Sequence, residues 1–220
     1  MTTPFPLGRH PDAAEHHDPR SRNFAARADL PVKTKYWRRY GDVLDQGNLG
    51  SCTGNAAAGC LNHVPFHATG APMLTETDAV RIYSTATTID PFTGRYPPTD
   101  TGSDGLSVAK VVQREGRITA YQHAFGLDHV LSTLMLGPLI VGVPWMNDMF
   151  YPEPNGIVRP TGGKAGGHEI CLDGVNITHK WLRFTNSWSE AWGIGGRFYM
   201  YWADFGTLLA QGGDAVLFVR

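Results

Sequence analysis

The chain has 220 residues, a hydrophobic fraction of 42% and a formal net charge of −1. That length suits one domain, or two closely packed lobes, and can bury a sizeable core without covalent staples. No charge run and no basic patch with interleaved aromatics is present, which speaks against a nucleic-acid partner and against a membrane surface.

Residues 1–35 are rich in Pro, His, Arg and Asp, lack apolar periodicity and read as an extended N-terminal arm. Its first ten residues, MTTPFPLGRH, lack the apolar core of a signal peptide. Residues 36–220 read as one folded unit. Gly47 and Gly50 punctuate a loop, and the small residues from Cys52 to Leu61 predict a close-packed helix. A second helix is expected within Glu76 to Thr87, and Pro91 to Gly105 reads as a loop. Val108, Val111 and Val112 give Ser107 to Arg114 an apolar helical face; Leu127, Val130, Leu131 and Leu134 do the same for Leu127 to Leu136.

From Pro138 the period changes. Leu139 to Val143 predicts a buried strand and Gly156 to Arg159 a short one. Further strands are expected over His168 to Ile177, Lys180 to Asn186, Arg197 to Trp202 and Ala215 to Val219. The apolar run from Leu131 to Trp145 is too short, and too broken by Gly137, Pro138, Gly142 and Pro144, to span a bilayer. Helices first and antiparallel strands later define an α+β class.

Three cysteines, Cys52, Cys60 and Cys171, do not describe a disulfide framework. On one helix Cys52 and Cys60 would lie about 12 Å apart, too far to bridge. A Cys60–Cys171 bridge stays open; the favoured reading makes both buried small hydrophobes. The Cys and His spacings fit no zinc site, and no metal or organic cofactor is implied.

Cys52 stands where a Gly-containing loop turns into a small-residue helix. The positive end of the helix dipole lowers a thiol pKa there, and the thiolate is the nucleophile. A nucleophilic thiol needs a base. His10, His16, His17, His63, His67, His123, His129 and His179 fall in polar arms, loops or helix surfaces and read as solvated. His168 differs: it follows the run Gly162-Gly163-Lys164-Ala165-Gly166-Gly167 and opens an apolar strand. Asn186, ahead of Ser187 and Trp188, can accept a bond from one imidazole N–H and fix its tautomer, with the Trp shielding that bond. Gln46, six residues before Cys52, can join the Cys52 backbone N–H in holding an oxyanion.

Gln46-Gly47-Asn48-Leu49-Gly50-Ser51-Cys52 resembles the active-site stretch of papain-like cysteine peptidases. Gly167-His168, Asn186-Ser187-Trp188, and Trp192-Gly193 with Phe198-Tyr199-Met200 resemble that family's later blocks, in the same order. Histidine and asparagine follow the cysteine by about 130–150 residues in papain and cathepsins. Asn186 meets that spacing and His168 falls short of it, which implies a compact second lobe. The resemblance runs from about Asp45 to the C-terminus. Leu49 replaces a disulfide cysteine and Thr53 replaces an aromatic residue, which is closer to bacterial and phage-type members.

What the resemblance implies is a two-lobe fold, helical on the left and antiparallel β on the right, with a cleft between. It implies a cysteine endopeptidase acting on polypeptides with Cys52 as nucleophile, His168 as base and acid, Asn186 as orienter and Gln46 as oxyanion donor. Gly102, Gly105, Gly167, Glu169, Trp188 and Trp192 are the implied substrate-binding residues. Glu169 lines the pocket for the second residue before the scissile bond, where a carboxylate would favour Arg or Lys; alternatively it turns aside to pair with a nearby base. The arm lies across the cleft as an inhibitor or packs passively on the surface. A cytoplasmic or phage-associated location is expected. Two other readings remain open: a catalytically idle binding protein with this fold, and an amidase or acyltransferase on a cell-wall peptide.

Overall fold

The computed structural model describes residues 3–11, 25–27, 29–67 and 70–220. His16, His17 and most of the arm beyond Pro11 lie outside the described residues. Five helices are present among the described residues: α1 Cys52–Leu61, α2 Glu76–Ala86, α3 Gly105–Arg114, α4 Leu127–Thr133 and α5 Trp202–Ala210. The strands are β1 Lys35–Tyr36, β2 Ala120–His123, β3 Leu139–Met146, β4 Lys164–Asn176, β5 Trp181–Thr185, β6 Arg197–Tyr201 and β7 Asp214–Val219. They form one antiparallel sheet in the order β2-β7-β3-β4-β5-β6, with β1 added to β4.

Alternation along β3 explains the two lobes. Leu139, Val141, Val143 and Trp145 face one core, with Ile170, Phe184, Phe198 and α4 and α5. Ile140 faces the other, which it shares with Cys171, Val216 and Phe218 and with α1, α2 and α3. Period-two side chains on a central strand feed both layers at once. The helical layer packs tightly because α1 is made of small residues. A Cβ on Gly54 would strike the Ala79 carbonyl of α2. All ten residues of α1 are buried. No helix among the described residues is long and apolar enough to cross a membrane.

Several expectations shift. α3 begins at Gly105, not Ser107, because the Asp104 carboxylate caps it by accepting the Ser107 N–H at 2.6 Å. β4 begins at Lys164: Gly166 pairs with Trp145 and Gly167 with Pro144, so much of the glycine run is strand. Gly156 to Arg159 makes only an isolated bridge between Ile157 and Tyr199. β2 and α5 carried no clear signal. α5 follows β6 directly, without a side-chain cap, and contains Gly206.

The histidine assignment is corrected at two positions. His63 is fully buried and His123 is 1% exposed. His63 bonds the Gly59 carbonyl through Nδ1 at 2.7 Å and Asp173 through Nε2 at 3.1 Å. His63 reads as a loop histidine just past α1, but Asp173 of β4 packs against it.

Candidate active site

Cys52 is the first residue of α1, and the close packing of α1 on α2 and β4 fixes it in place. His168 lies on β4 opposite Val143. Its ring stacks on Trp188, with centroids 4.5 Å apart and planes 20° apart, and meets Trp145 edge-on at 4.8 Å. Nε2 lies 2.7 Å from Oδ1 of Asn186. An amide oxygen only accepts, so Nε2 carries the proton and Nδ1 is left as the basic atom. Nδ1 has no hydrogen-bond partner among the described residues. Asn186 Oδ1 also accepts the Ser187 N–H at 2.8 Å, which locks the amide.

Gln46 is held by the same turn. Its N–H donates to the Ser187 carbonyl at 3.0 Å, and its Oε1 accepts the Ser187 hydroxyl at 2.6 Å. Its Nε2 donates to the Leu49 carbonyl at 2.8 Å. Ser187 therefore ties the Gln46 loop to the Asn186 turn. The sequence places Ser187 in the Asn186-Ser187-Trp188 block but gives it no role, since the contact joins segments 141 residues apart.

Residues Phe5 to His10 lie against these same side chains. The Phe5 ring stacks on Trp188 at 4.6 Å, with planes 12° apart. The Pro6 carbonyl lies 3.5 Å from Gln46 Nε2. The Arg9 N–H donates to the Gly167 carbonyl at 3.1 Å. Ser103 donates to the Gly8 carbonyl at 2.9 Å, and His10 donates to the Ser103 carbonyl at 2.8 Å, in parallel register. Cβ atoms on Gly102 and Gly167 would collide with the backbones of Gly8 and Arg9. Glycine at these two positions is what lets the strand-like arm seat.

The Arg9 side chain descends into a pocket under β3. Its guanidinium pairs with Asp214, donates to the Gly212 carbonyl at 2.9 Å, and brings Nε to 3.9 Å from Glu169 Oε2.

The helix-terminus expectation for Cys52 is overturned in this state. Burial pushes its thiol up to about 12, outweighing the backbone N–H groups of Glu169 and Gly8 that point at the sulfur. Burial likewise pushes His168 down to about 4, against the Asn186 bond that favours the imidazolium. Thiol and imidazole are thus both neutral at pH 7 with the arm seated.

Gly105 lies against the carboxylates around Arg9, and Trp192 lies behind Trp188. Gly105 opens α3 and its Cα faces the Glu169 and Asp214 carboxylates; Ser103, not Gly105, pairs with the extended chain. Trp192 is 6% exposed, donates to the Phe150 carbonyl at 3.0 Å and buttresses Trp188 edge-on from the core. No group of three or more His, Cys, Asp or Glu side chains among the described residues is placed to hold a metal. All three cysteines are unbridged, which leaves Cys60 and Cys171 as buried thiols.

The architecture is that of papain-like cysteine proteases: a helical lobe, an antiparallel lobe and a cleft between them. Xylellain, a cysteine protease from Xylella fastidiosa, superposes with a TM-score of 0.78 at 21% identity, over 100% of this chain and 98% of that one. A cysteine protease of Carica candamarcensis in complex with E-64 gives 0.62 at 16%, over 87% and 99%. Digestive procathepsin L 3 of the Tenebrio molitor larval midgut gives 0.65 at 12%, over 98% and 76%. No family model and no curated protein sequence matches the chain.

Proposed function

We propose that this chain is a cysteine endopeptidase acting on polypeptides, held latent by its own N-terminal arm. The observation that carries the reading is the state of His168. Asn186 holds one ring nitrogen, the other has no hydrogen-bond partner among the described residues, and the next residue of the same strand aims its N–H at the Cys52 sulfur.

Once the arm leaves, water and the helix N-terminus favour charge separation between the two groups. The Cys52 proton passes to Nδ1 of His168, and the thiolate attacks a peptide carbonyl carbon. Gln46 Nε2–H and the Cys52 backbone N–H hold the resulting oxyanion. The intermediate collapses as the imidazolium protonates the departing amine and the C–N bond breaks. His168 then takes a proton from water, the hydroxide attacks the thioester, and the C–S bond breaks to return the thiolate. Asn186 keeps the imidazole in the working tautomer throughout, and Trp188 keeps water from their bond.

Latency follows from what the arm presents. The Gly8 N–H, not a carbonyl carbon, faces the thiol. The Pro6 carbonyl occupies the Gln46 amide. Both catalytic groups are dehydrated and neutral. Incubation with an epoxide probe before and after displacement of the arm tests the reading. Labelling at Cys52 in the displaced state, lost in Cys52→Ala and matched by cleavage of a fluorogenic peptide, is expected. An unlabelled Cys52 with the arm displaced would instead support an idle binding protein. Labelling without peptide cleavage would point to another amide substrate.

A further inference from the structure

Glu169, Gly142 and Asp214 form one row across three neighbouring strands. Gly142 on β3 pairs with Glu169 on β4 and with Asp214 at the start of β7. Two carboxylates therefore flank a residue with no side chain. A Cβ at Gly142 would collide with Arg9 Nε and with both carboxylates; one at Gly105 would crowd the same two carboxylates from above. Glu169 is fully buried and Asp214 is 8% exposed. The space the glycines leave holds the guanidinium of Arg9.

We infer that this cavity is a guanidinium pocket. It selects polypeptide substrates that place an arginine side chain in it, and Arg9 is its resident occupant. The inference rests on the peptidase reading for its substrate; the pocket's chemistry stands on its own. Two carboxylates facing one gap repel each other when it is empty and demand a cation when it is filled. Among the described contacts, Asp214 and the Gly212 carbonyl meet one terminal nitrogen while Glu169 stands 3.9 Å from Nε. A planar fork of donors meets that geometry, whereas an ammonium is a point charge and an aromatic ring offers neither charge nor donors. Removing either carboxylate leaves one anion, which should still bind a cation but lose the distinction between arginine and lysine.

The full chain carrying Cys52→Ala and Arg9→Ala is the test protein, with binding read by calorimetry. The probes are the acetyl N-methylamides of arginine, lysine, citrulline and phenylalanine. The arginine probe should bind about tenfold or more tightly than citrulline and phenylalanine, and more tightly than lysine. Glu169→Gln and Asp214→Asn added singly should each erase the arginine-over-lysine margin. Equal or tighter phenylalanine binding, or a preference untouched by both carboxamides, overturns the inference. If Arg9→Ala folds poorly, recovery of its thermal unfolding midpoint by methylguanidinium but not methylammonium supports the pocket, and equal recovery or none counts against it. Turnover is read separately, with Cys52 intact. Arginine binding without turnover leaves the pocket standing and removes the peptidase reading; turnover of phenylalanine substrates alone does the reverse.

Discussion

Gly8 packs against Gly50 so closely that a Cβ on Gly8 would drive into the Gly50 carbonyl oxygen. Gly50 sits two residues before Cys52, and its N–H donates to Asp100 at 2.7 Å, so the loop is braced and cannot retreat. The arm must give way instead. Gly8→Val should unseat it and raise the rate of Cys52 alkylation by iodoacetamide about tenfold or more, as the population of the closed state falls. Peptide mapping separates Cys52 from Cys60 and Cys171. An unchanged rate at Cys52 would show that the arm does not control access to the thiol.

The closed state also carries a pH signature. Its His168 value of about 4 lies below the ordinary imidazole value of 6.5, so the stability it lends is present above about 6.5 and is lost as pH falls toward 4. Its Cys52 value of about 12 lies above the ordinary 9.0, so that contribution is present below 9.0 and is lost as pH rises toward 12. Alkylation of the unaltered chain should therefore be slow at pH 7. It should accelerate as pH rises above 9 and the buried thiol begins to ionise. In Gly8→Val the rate should already be high at pH 6 and vary little to pH 8. A rate in the unaltered chain that already matches Gly8→Val at pH 7 would contradict a buried, neutral thiol.

Gln46 and Asn186 should separate kinetically in the Gly8→Val background. Losing one oxyanion donor costs about 10²–10³ in kcat. Gln46→Ala should therefore lower kcat by about that factor with KM little changed. Asn186→Ala frees the His168 ring, and misplacement of about 1 Å costs near 10²-fold. That variant should also lower kcat, and it should shift the acid limb of the pH–rate profile, since Asn186 favours the imidazolium. A profile with an unmoved limb would argue against an orienting role. Ser187→Ala should weaken the Gln46 effect in the same direction, because its hydroxyl holds Gln46 Oε1.

A buried charge cluster on the far side of β4 governs stability and not chemistry. Asp173 accepts from His63, from Arg183 Nε at 2.6 Å and from the Thr185 hydroxyl. Burial alone would push Asp173 up, yet His63, Arg183 and Thr185 bring it down to about 2. Burial would likewise push His63 down, and Cys171 and Asp173 outweigh it to raise His63 to about 9. Removing one member strands buried charge, at about 3–5 kcal/mol. Asp173→Ala should lose an amount of that order in urea unfolding at pH 7. The Asp173 contribution should fade as pH falls from 3.8 toward 2, and the His63 contribution as pH rises from 6.5 toward 9. A loss below 1 kcal/mol would mean the cluster is not charged as described.

Much of the frame was legible along the chain. The small residues of Cys52 to Leu61 gave a helix with those same ends, because alanine and glycine at close spacing suit only a tightly packed helix. The order of Cys52, His168 and Asn186 was readable because Cys52 opens α1, Asn186 follows β5 in an Asn-Ser turn and His168 follows a glycine run, even though that run already belongs to β4. β2 was not readable: four residues, three of them half-buried, carry too little alternation. His63 misled because it falls just past the end of α1, where a loop histidine reads as solvated, and the group it meets, Asp173 on β4, lies far along the chain.

The amino-acid sequence by itself determined an α+β chain with a thiol at a helix start, a histidine in a strand and an asparagine in a later Asn-Ser turn, since periodicity and local turn chemistry are short-range properties. Only the tertiary structure decided what surrounds those groups. Strand register brings Asp214 level with Glu169 across Gly142, and chain path lays Pro6 to His10 along the cleft. Burial, which no local pattern encodes, then reverses the protonation expected of Cys52.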